Sequence, residues 1–327
     1  MGFPRFKSRK RGLGSSRLTG RIHVFEGSIQ LPRLGRLRLQ ERGYLPTSGV
    51  RILSATVSER AGRWFVSIQV EEEIPNPAPA QGEPRGVDRG VKALAARSDG
   101  VIYENPRALA QAQEKLGRLQ RQLSRQQKGG RNREKTRRKI ARLHARISNI
   151  RRDALHKATS DIVARTKPDV EWPRVIVIED LNVSGMLQNH RLARAISDVG
   201  MYEFSRQVKY KAAWGGSEVV VADRWYPSSK RCSRCGAIKD ELALSERLYE
   251  CDQCGLVIDR DVNAARNLAQ LATTRLSHRP EPHAESSSNA TASSAESNAC
   301  GEDVRPASGG QTSVKQEPNS GPGLPWA

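Results

Sequence analysis

Residues 174–180 read RVIVIED, an almost fully apolar run that ends in two acids. Four consecutive β-branched residues in so short a run favour a buried strand in a sheet that is covered on both faces. A carboxylate at the end of such a strand is costly unless a cation or a hydrogen-bond donor meets it. The run therefore predicts an α/β core and makes Glu179 the first candidate functional residue.

Segments on both sides of this run continue the alternation of strands and helices. Residues 86–106, GVDRGVKALAARSDGVIYENP, predict a strand that carries Asp88, a turn at Ser98-Asp99-Gly100 and a returning strand. Further elements are predicted as a helix at residues 199–214, a buried strand at 218–222 and a helix at 261–274. The last helix begins with Asp261, the third acid of this core.

Each of the three acids Asp88, Glu179 and Asp261 has an ordinary structural explanation when it is taken singly. A carboxylate in or after a strand is more often a salt-bridge partner, and an acid at the start of a helix is favourable as a cap. Together, however, carboxylates are the hard oxygen ligands that Mg²⁺ or Mn²⁺ prefers. Two such ions can activate a water and stabilise the leaving oxygen of a phosphodiester. The trio therefore predicts hydrolysis of a nucleic-acid backbone.

The composition agrees with a nucleic-acid partner. The 327 residues include 55 Lys or Arg against 35 Asp or Glu, a formal charge of +20, and such an excess favours a polyanion. A ribosome-type structural protein and a membrane-surface protein are the alternatives. The second is disfavoured because the chain has no basic amphipathic helix with an aromatic and Leu-rich face. The longest apolar runs have only strand length, so no membrane span is expected.

A long, strongly basic helical segment lies between the first two acids. Apolar residues at positions 116, 119 and 123, and again at 140, 143, 147 and 150, follow the spacing of a helical seam. Gly129-Gly130 separates the two runs and predicts an antiparallel helical hairpin. Between Arg107 and Lys157 the chain carries seventeen Lys or Arg against three acids. That excess favours contacts with phosphates over the alternative, a merely solvated helix face.

Two cysteine pairs give the most specific local signal. Cys232 and Cys235 are followed, after fifteen residues, by Cys251 and Cys254, the spacing of a four-thiolate zinc ribbon. Because four thiolates fill the coordination shell, the predicted zinc is structural and not catalytic. A redox Cys-x-x-Cys pair is the alternative, and no role is predicted for Cys300. Metal-binding cysteines, with no secretory signal at the N-terminus, indicate the cytoplasm.

Regions outside the core are assigned from their local patterns. Residues 50–57 and 64–71 predict a β-hairpin with its turn near Ala61-Gly62, and the Pro-rich residues 74–84 mark a boundary. Ser, Pro, Gly, Asn and Ala dominate residues 276–327, which are predicted to be disordered.

Together these motifs resemble the TnpB, or OrfB, proteins of bacterial insertion sequences, which are compact relatives of the type V CRISPR nucleases. GVDRGVKALAARSDG at residues 86–100 is similar to the first RuvC motif of that family, VIVIEDLNVSGM at 175–186 to the second and DRDVNAARNL at 259–268 to the third. The ribbon, introduced by DRWYPSSKRCSRCG at 223–236, lies between the last two motifs. The basic helices also match, and the resemblance covers about residues 2–275.

The resemblance implies a RuvC-like core with the RNase H fold, which cuts double-stranded target DNA under the direction of a guide RNA made from the transposon end. It implies a Mg²⁺-dependent endonuclease with Asp88, Glu179 and Asp261 as catalytic residues. In the third motif the catalytic aspartate lies two residues before Asn-Ala-Ala, which selects Asp261 over its neighbour Asp259. The N-terminal region resembles the second half of a wedge domain that holds RNA and DNA. Its phosphate contacts would include Lys7, Arg9, Lys10 and Arg11.

The resulting prediction divides the chain into seven segments. In order, they are a partial β-barrel wedge-like domain at 1–84, RuvC-like core at 85–106, a basic helical hairpin at 107–158, core at 159–224, a zinc ribbon at 225–255, core at 256–275 and a disordered tail at 276–327.

One departure from the family keeps a second hypothesis open. Family members normally carry a further wedge strand and a helical recognition region before the segment GFPRFKSRKRG, which here begins at Gly2. The chain is therefore expected to be a shortened copy or to have a start assigned too late, and a non-cutting RNA- or DNA-binding protein is the alternative function. A transposase that joins DNA ends itself is disfavoured, because the resemblance implies guided cutting with strand transfer by a separate enzyme.

Overall fold

A computed structural model describes residues 14–164, 171–243 and 245–277, except for the side chains of residues 274–277. Thirteen strands and six helices lie within these residues. The predicted phosphate contacts of Lys7, Arg9, Lys10 and Arg11 lie outside the described residues. So does the predicted disordered tail, apart from Leu276 and Ser277, which form the end of the last helix.

Two three-stranded antiparallel sheets form the N-terminal region. The first has the order β1 (Ser15–Leu18), β5 (Arg51–Arg60), β6 (Arg63–Glu71), and the second the order β2 (His23–Phe25), β3 (Ser28–Leu31), β4 (Gly35–Arg38). The predicted hairpin is confirmed as β5 and β6. Its turn lies at Ala61 and Gly62, whose φ angles of 54° and 82° suit a two-residue turn that matches the twist of the strands. Ile29, Leu31 and Ala55 are buried in the core of this region.

A five-stranded sheet forms the centre of the molecule. Its order is β11 (Glu218–Ala222), β10 (Val175–Glu179), β7 (Arg85–Arg89), β8 (Ala93–Arg97), β9 (Ile102–Glu104). β10 runs parallel to both of its neighbours, whereas β7, β8 and β9 form an antiparallel meander. The predicted α/β core and its buried strand are confirmed, since the four residues before Glu179 are at most 2% exposed.

Two predictions about strands are wrong in detail. Residues 86–97 were predicted as one strand, but β7 and β8 are separate and a turn at residues 90–92 joins them. Asn105 donates a side-chain hydrogen bond to the carbonyl oxygen of Val91 at 2.8 Å and so holds this turn. β11 lies at the sheet edge, where only Ala222 is buried, so the prediction of a buried strand there is also wrong.

Helices cover both faces of the central sheet. The predicted basic hairpin is confirmed as α1 (Ala108–Arg125) and α2 (Arg131–Ile162), with Gly129 at a φ of 84° between them. The other helices are α3 (Val183–Leu187), α4 (Ala193–Val199), α5 (Met201–Trp214) and α6 (Arg260–Ser277), and a small hairpin joins β12 (Leu248–Glu250) to β13 (Val257–Asp259). The predicted helices at 199–214 and 261–274 correspond to α5 and α6; α3 and α4 were not predicted.

Alternate residues of β10 belong to different halves of the core. Ile176 and Ile178 pack with residues of α2, α4 and α5. Val175 and Val177 pack instead with Leu268 and Ala272 of α6. Because side chains alternate between the two faces of a strand, Glu179 lies on the face that α6 covers.

The contact between β7 and α6 depends on Gly86. A Cβ atom at this position would lie 1.9 Å from the carbonyl oxygen of Ala265 and 2.5 Å from the amide nitrogen of Ala269. Backbone atoms cannot move away as a flexible side chain can. We expect Gly86→Ala to lower the free energy of unfolding by about 1 to 3 kcal/mol, as measured by denaturant titration.

Gly117→Ala is the matched control. Gly117 lies in α1, where the nearest atom to an added Cβ is the end of the Arg121 side chain at 3.8 Å, so higher helix propensity is expected to raise stability by up to about 1 kcal/mol. An unchanged stability of Gly86→Ala would contradict the close packing of β7 on α6.

Candidate catalytic site and zinc ribbon

Strand pairing brings the first two predicted acids together. β7 and β10 are parallel neighbours with Val87 opposite Ile178, so the next residues along the two strands, Asp88 and Glu179, lie side by side. Both face α6, because Gly86, two residues before Asp88, contacts that helix. Their carboxyl groups are near enough for the charge of Glu179 to act on Asp88.

The third acid reaches the same place from α6. Ala265 of this helix lies against Gly86, and Asp261 is one helical turn before Ala265 on the same side of the helix. One turn of helix and two residues of strand span similar distances, about 5.4 Å and 6.6 Å. Asp261 therefore lies towards Asp88, and its charge acts on the Asp88 carboxyl. The structure thus places Asp88 and Glu179 side by side and brings Asp261 near enough for its charge to act on Asp88, although the three acids do not meet the 4.8 Å spacing of the cysteine cluster among the described residues.

The three acids Asp88, Glu179 and Asp261, called the acidic group below, carry charges that favour binding of a cation. Burial, together with the charges of Glu179 and Asp261, raises the pKa of Asp88 well above its ordinary value. Burial and the charge of Asp259 also raise the pKa of Asp261. All three side chains nevertheless keep some access to solvent. A divalent cation would relieve this mutual repulsion, and partly exposed carboxylates leave room for waters and a phosphate.

Asp259 has a different role from Asp261. Its Oδ1 atom accepts hydrogen bonds from the backbone N–H groups of Asp261 at 2.9 Å and Val262 at 3.1 Å. These are the contacts of a helix N-cap, and α6 begins at Arg260. The capping function that sequence reasoning offered as the ordinary explanation of Asp261 is therefore performed by Asp259. Because Asp259 caps the helix, the carboxyl group of Asp261 is not needed as a cap and can act together with Asp88 and Glu179.

Two residues that the sequence reasoning missed hold Glu179 in place. Ser228 donates a hydrogen bond from its hydroxyl to Glu179 Oε1 at 2.6 Å. Arg89, which is 8% exposed, donates to the carbonyl oxygen of Glu179 and to Ser205 on α5. Burial lowers the pKa of Arg89, while the charges of Glu179, Asp88 and Asp180 oppose that effect. The role of Arg89 could have been inferred from the sequence, because an arginine beside Asp88 in a predicted core strand requires polar or charged partners.

The four predicted zinc ligands form a compact cluster. Their sulfur atoms all lie within 4.8 Å of one another. Among the described residues, no other group of three or more His, Cys, Asp or Glu side chains meets this spacing. Each pair lies on the same kind of turn: the N–H of Gly236 donates to the carbonyl oxygen of Cys232, and that of Gly255 to Cys251. Both glycines have positive φ, 80° and 68°. The cluster fits a tetrahedral zinc ion.

Polar side chains of α6 fasten the ribbon to the acidic group. Asn263, which is fully buried, donates to the carbonyl oxygen of Arg231 at 2.7 Å and accepts from the N–H of Ser233 at 3.0 Å. Asn267 donates to the carbonyl oxygens of Ser228 and Arg231. The same short segment thus contacts both α6 and, through the Ser228 hydroxyl, Glu179.

The basic hairpin is anchored by a few of its charges and exposes most of the others. Arg133 caps the end of α1 through the carbonyl oxygens of Leu123 and Gln126. Arg151 pairs with Asp198 at 2.7 Å, and Asp198 also accepts hydrogen bonds from the N–H of Leu109 at the start of α1. The exposed basic residues include Lys115, Arg118, Arg121, Arg125, Lys128, Lys135, Lys139 and Arg146. They form a surface suited to phosphate contacts.

Comparison with known proteins identifies the family. The OrfB family model, described as "Probable transposase", matches residues 67–190, and the model "Cas12f1-like, TNB domain" matches residues 202–268. A Streptomyces pristinaespiralis protein named "Putative RNA-guided DNA endonuclease" is 40% identical over 97% of this chain and 72% of its own length. The chain belongs to the TnpB, or OrfB, family.

Other relatives agree with the TnpB assignment. An Escherichia coli K12 protein, which carries the same name with the addition InsQ, is 38% identical over 81% of this chain and 67% of its own length. The "CRISPR-associated endodeoxyribonuclease Cas12f1" of Sulfoacidibacillus thermotolerans is 26% identical over 64% of this chain and 51% of its own length. The family predicted from the motifs is confirmed. Within its described residues, this TnpB chain contains no helix that is both long and apolar enough to span a bilayer.

Proposed function

We propose that this chain is an RNA-guided DNA endonuclease in which Asp88, Glu179 and Asp261 bind catalytic Mg²⁺ or Mn²⁺ in a RuvC-like core. One observation carries the proposal: β7 and β10 place Asp88 and Glu179 side by side, and the start of α6 brings Asp261 near enough for its charge to act on Asp88. The names of the relatives, which describe RNA-guided DNA endonucleases, support the same activity.

The chain's own residues would hold the metal ligands in fixed orientations. Ser228 and Arg89 hold the side chain and backbone of Glu179, and Asp259 fixes the helix start that carries Asp261. Divalent metal held by Asp88, Glu179 and Asp261 would supply the activation of a water and the stabilisation of the leaving 3′ oxygen of a phosphodiester. Ligands that are already positioned need little rearrangement before the phosphate arrives, which favours the reaction.

The guide RNA is proposed to contact the exposed basic face of the hairpin formed by α1 and α2. Phosphate contacts by Lys and Arg provide affinity without reading sequence. That property suits a partner whose sequence is read by base pairing with DNA. The N-terminal sheets are proposed to act as the wedge-like part of the same nucleic-acid channel, and Zn²⁺ at the four cysteines is proposed to be structural.

The decisive experiment is a cleavage assay with the purified chain. It should be bound to an RNA transcribed from its own transposon end and supplied with Mg²⁺ and DNA that matches the guide. Site-specific cutting that stops on addition of EDTA is the expected result. RNA binding without cutting at any concentration of Mg²⁺ or Mn²⁺ would reject the endonuclease and favour the non-cutting alternative. Joined DNA ends produced by this chain alone would indicate a transposase.

A further inference from the structure

A highly exposed tryptophan lies on the loop between the central sheet and the ribbon. Trp225 is 85% exposed, although burying such a large aromatic surface would normally be favourable. It follows β11 by three residues and precedes the first zinc ligand by seven. The loop, residues 223–228, therefore begins at the carboxyl end of a parallel strand, the edge where α/β sheets commonly bind ligands.

The loop is held on both sides of Trp225. Arg224 donates two hydrogen bonds to Asp180 Oδ2, at 2.7 and 3.1 Å, and Asp180 directly follows Glu179. The N–H of Trp225 itself donates to Asp223 Oδ1 at 2.8 Å. The hydroxyl of Tyr226 donates to the carbonyl oxygen of Asn267 on α6 at 3.2 Å. The indole is thus displayed to solvent by a loop that several contacts fix in place.

These contacts place Trp225 beside the acidic group. Ser228, three residues further along, donates its hydroxyl to Glu179 at 2.6 Å. Three residues of chain span at most about 11 Å even when fully extended, so the indole lies within a few nucleotides of any phosphate that reaches Glu179. Arg224 is paired with Asp180, and three further basic residues follow Trp225, namely Lys230, Arg231 and the exposed Arg234, which would attract a nucleic-acid backbone.

From this geometry, and resting on the proposed nuclease function, we propose that Trp225 is a stacking platform for an unpaired base of the DNA strand being cut. Stacking on an aromatic ring is independent of base identity, because every base has a π face. A base held on Trp225 would position its strand across Asp88, Glu179 and Asp261. A base inside a duplex would first have to leave its own stack, at a cost of about a few kcal/mol, so this subsite favours DNA that is locally single-stranded.

Binding of single-stranded DNA tests the subsite without requiring cleavage. The probe is a fluorescein-labelled oligodeoxythymidylate titrated into the guide-bound chain, in an Asp88→Ala background and with anisotropy as the signal. Trp225→Ala is expected to raise the Kd about 5- to 100-fold, and Trp225→Phe to restore it to within about fivefold of the Trp225 protein. Equal affinities of the Trp225→Ala and Trp225 proteins would overturn the proposal.

Trp214→Ala is the matched control. Trp214 is 56% exposed and ends α5 just before β11 begins, so it lies at the opposite end of that strand from Trp225. Its substitution is expected to leave the Kd unchanged, and a loss equal to that of Trp225→Ala would contradict a specific subsite. Because these measurements use a background without Asp88, they remain decisive if the chain does not cut DNA. If the wild type cuts DNA but Trp225→Ala binds the oligonucleotide normally, only the stacking proposal fails.

Discussion

Asp261→Asn is expected to reduce guided DNA cleavage by roughly 10³-fold or more. Asparagine keeps the size of the side chain but removes the charge that would bind the metal. Affinity for the guide RNA should not change, because Asp261 lies at the start of α6 and the basic surface lies on α1 and α2. Cleavage rates under single-turnover conditions and RNA binding by filter retention would measure the two effects separately.

Asp259→Asn provides a closely matched control two residues away. Asparagine caps a helix about as well as aspartate, so the hydrogen bonds from Asp261 and Val262 should persist, and cleavage is expected to stay within about tenfold of the wild-type rate. Equal losses in the two variants would mean that the charge near α6, and not a specific ligand, matters. If only Asp259→Asn were inactive, the assignment of the third acid would be wrong.

Cys251→Ala is expected to release the zinc and to abolish most of the cleavage. Structural zinc contributes about 10 to 16 kcal/mol of binding free energy in small zinc domains, so residues 228–258 should lose their ordered structure when one thiolate is removed. Glu179 would then lose its hydrogen bond from Ser228, and the asparagines of α6 would lose their bonds to Ser228 and Arg231. These losses should lower the cleavage rate at least about tenfold. Metal analysis and limited proteolysis between β11 and α6 would measure the loss of structure.

Cys300→Ser serves as the control for this experiment because Cys300 belongs to neither pair. It should retain one zinc per chain and the full cleavage rate. A Cys251→Ala protein that still cuts DNA at the wild-type rate would show that the ribbon does not support the acidic group.

The central sheet could be predicted from the sequence where burial alone determined which residues a strand contains. The run from Val175 to Ile178 is buried on both faces, and four successive β-branched residues favour a covered parallel strand. The helical hairpin followed equally directly from its apolar seam and from Gly129. The turn between β7 and β8 was missed although Gly90 lies in it. The hydrogen bond from Asn105 to Val91 that stabilises this turn is a tertiary contact, which local sequence does not reveal.

The residues of the candidate site could be proposed from the sequence, whereas the contacts that hold them in place could not. On residue chemistry alone, Asp261 was the weakest of the three acids because an acid at a helix start needs no further explanation. Only the three-dimensional structure reveals that Asp259 performs the capping. Ser228 lies 49 positions from Glu179 in the chain, and a serine in a loop carries no sequence signal for such a long-range contact.

The contact of Gly86 with Ala265 has a consequence for protein synthesis. The strand that carries Asp88 emerges early from the ribosome, while α6 emerges only after the hairpin, the remaining strands and the ribbon have been made. Because domains tend to fold in order as the chain grows, the basic hairpin can form before the acidic group is complete. Given the roles proposed for the hairpin and for the three acids, a nascent chain would acquire the capacity to hold RNA before it acquires the capacity to cut DNA.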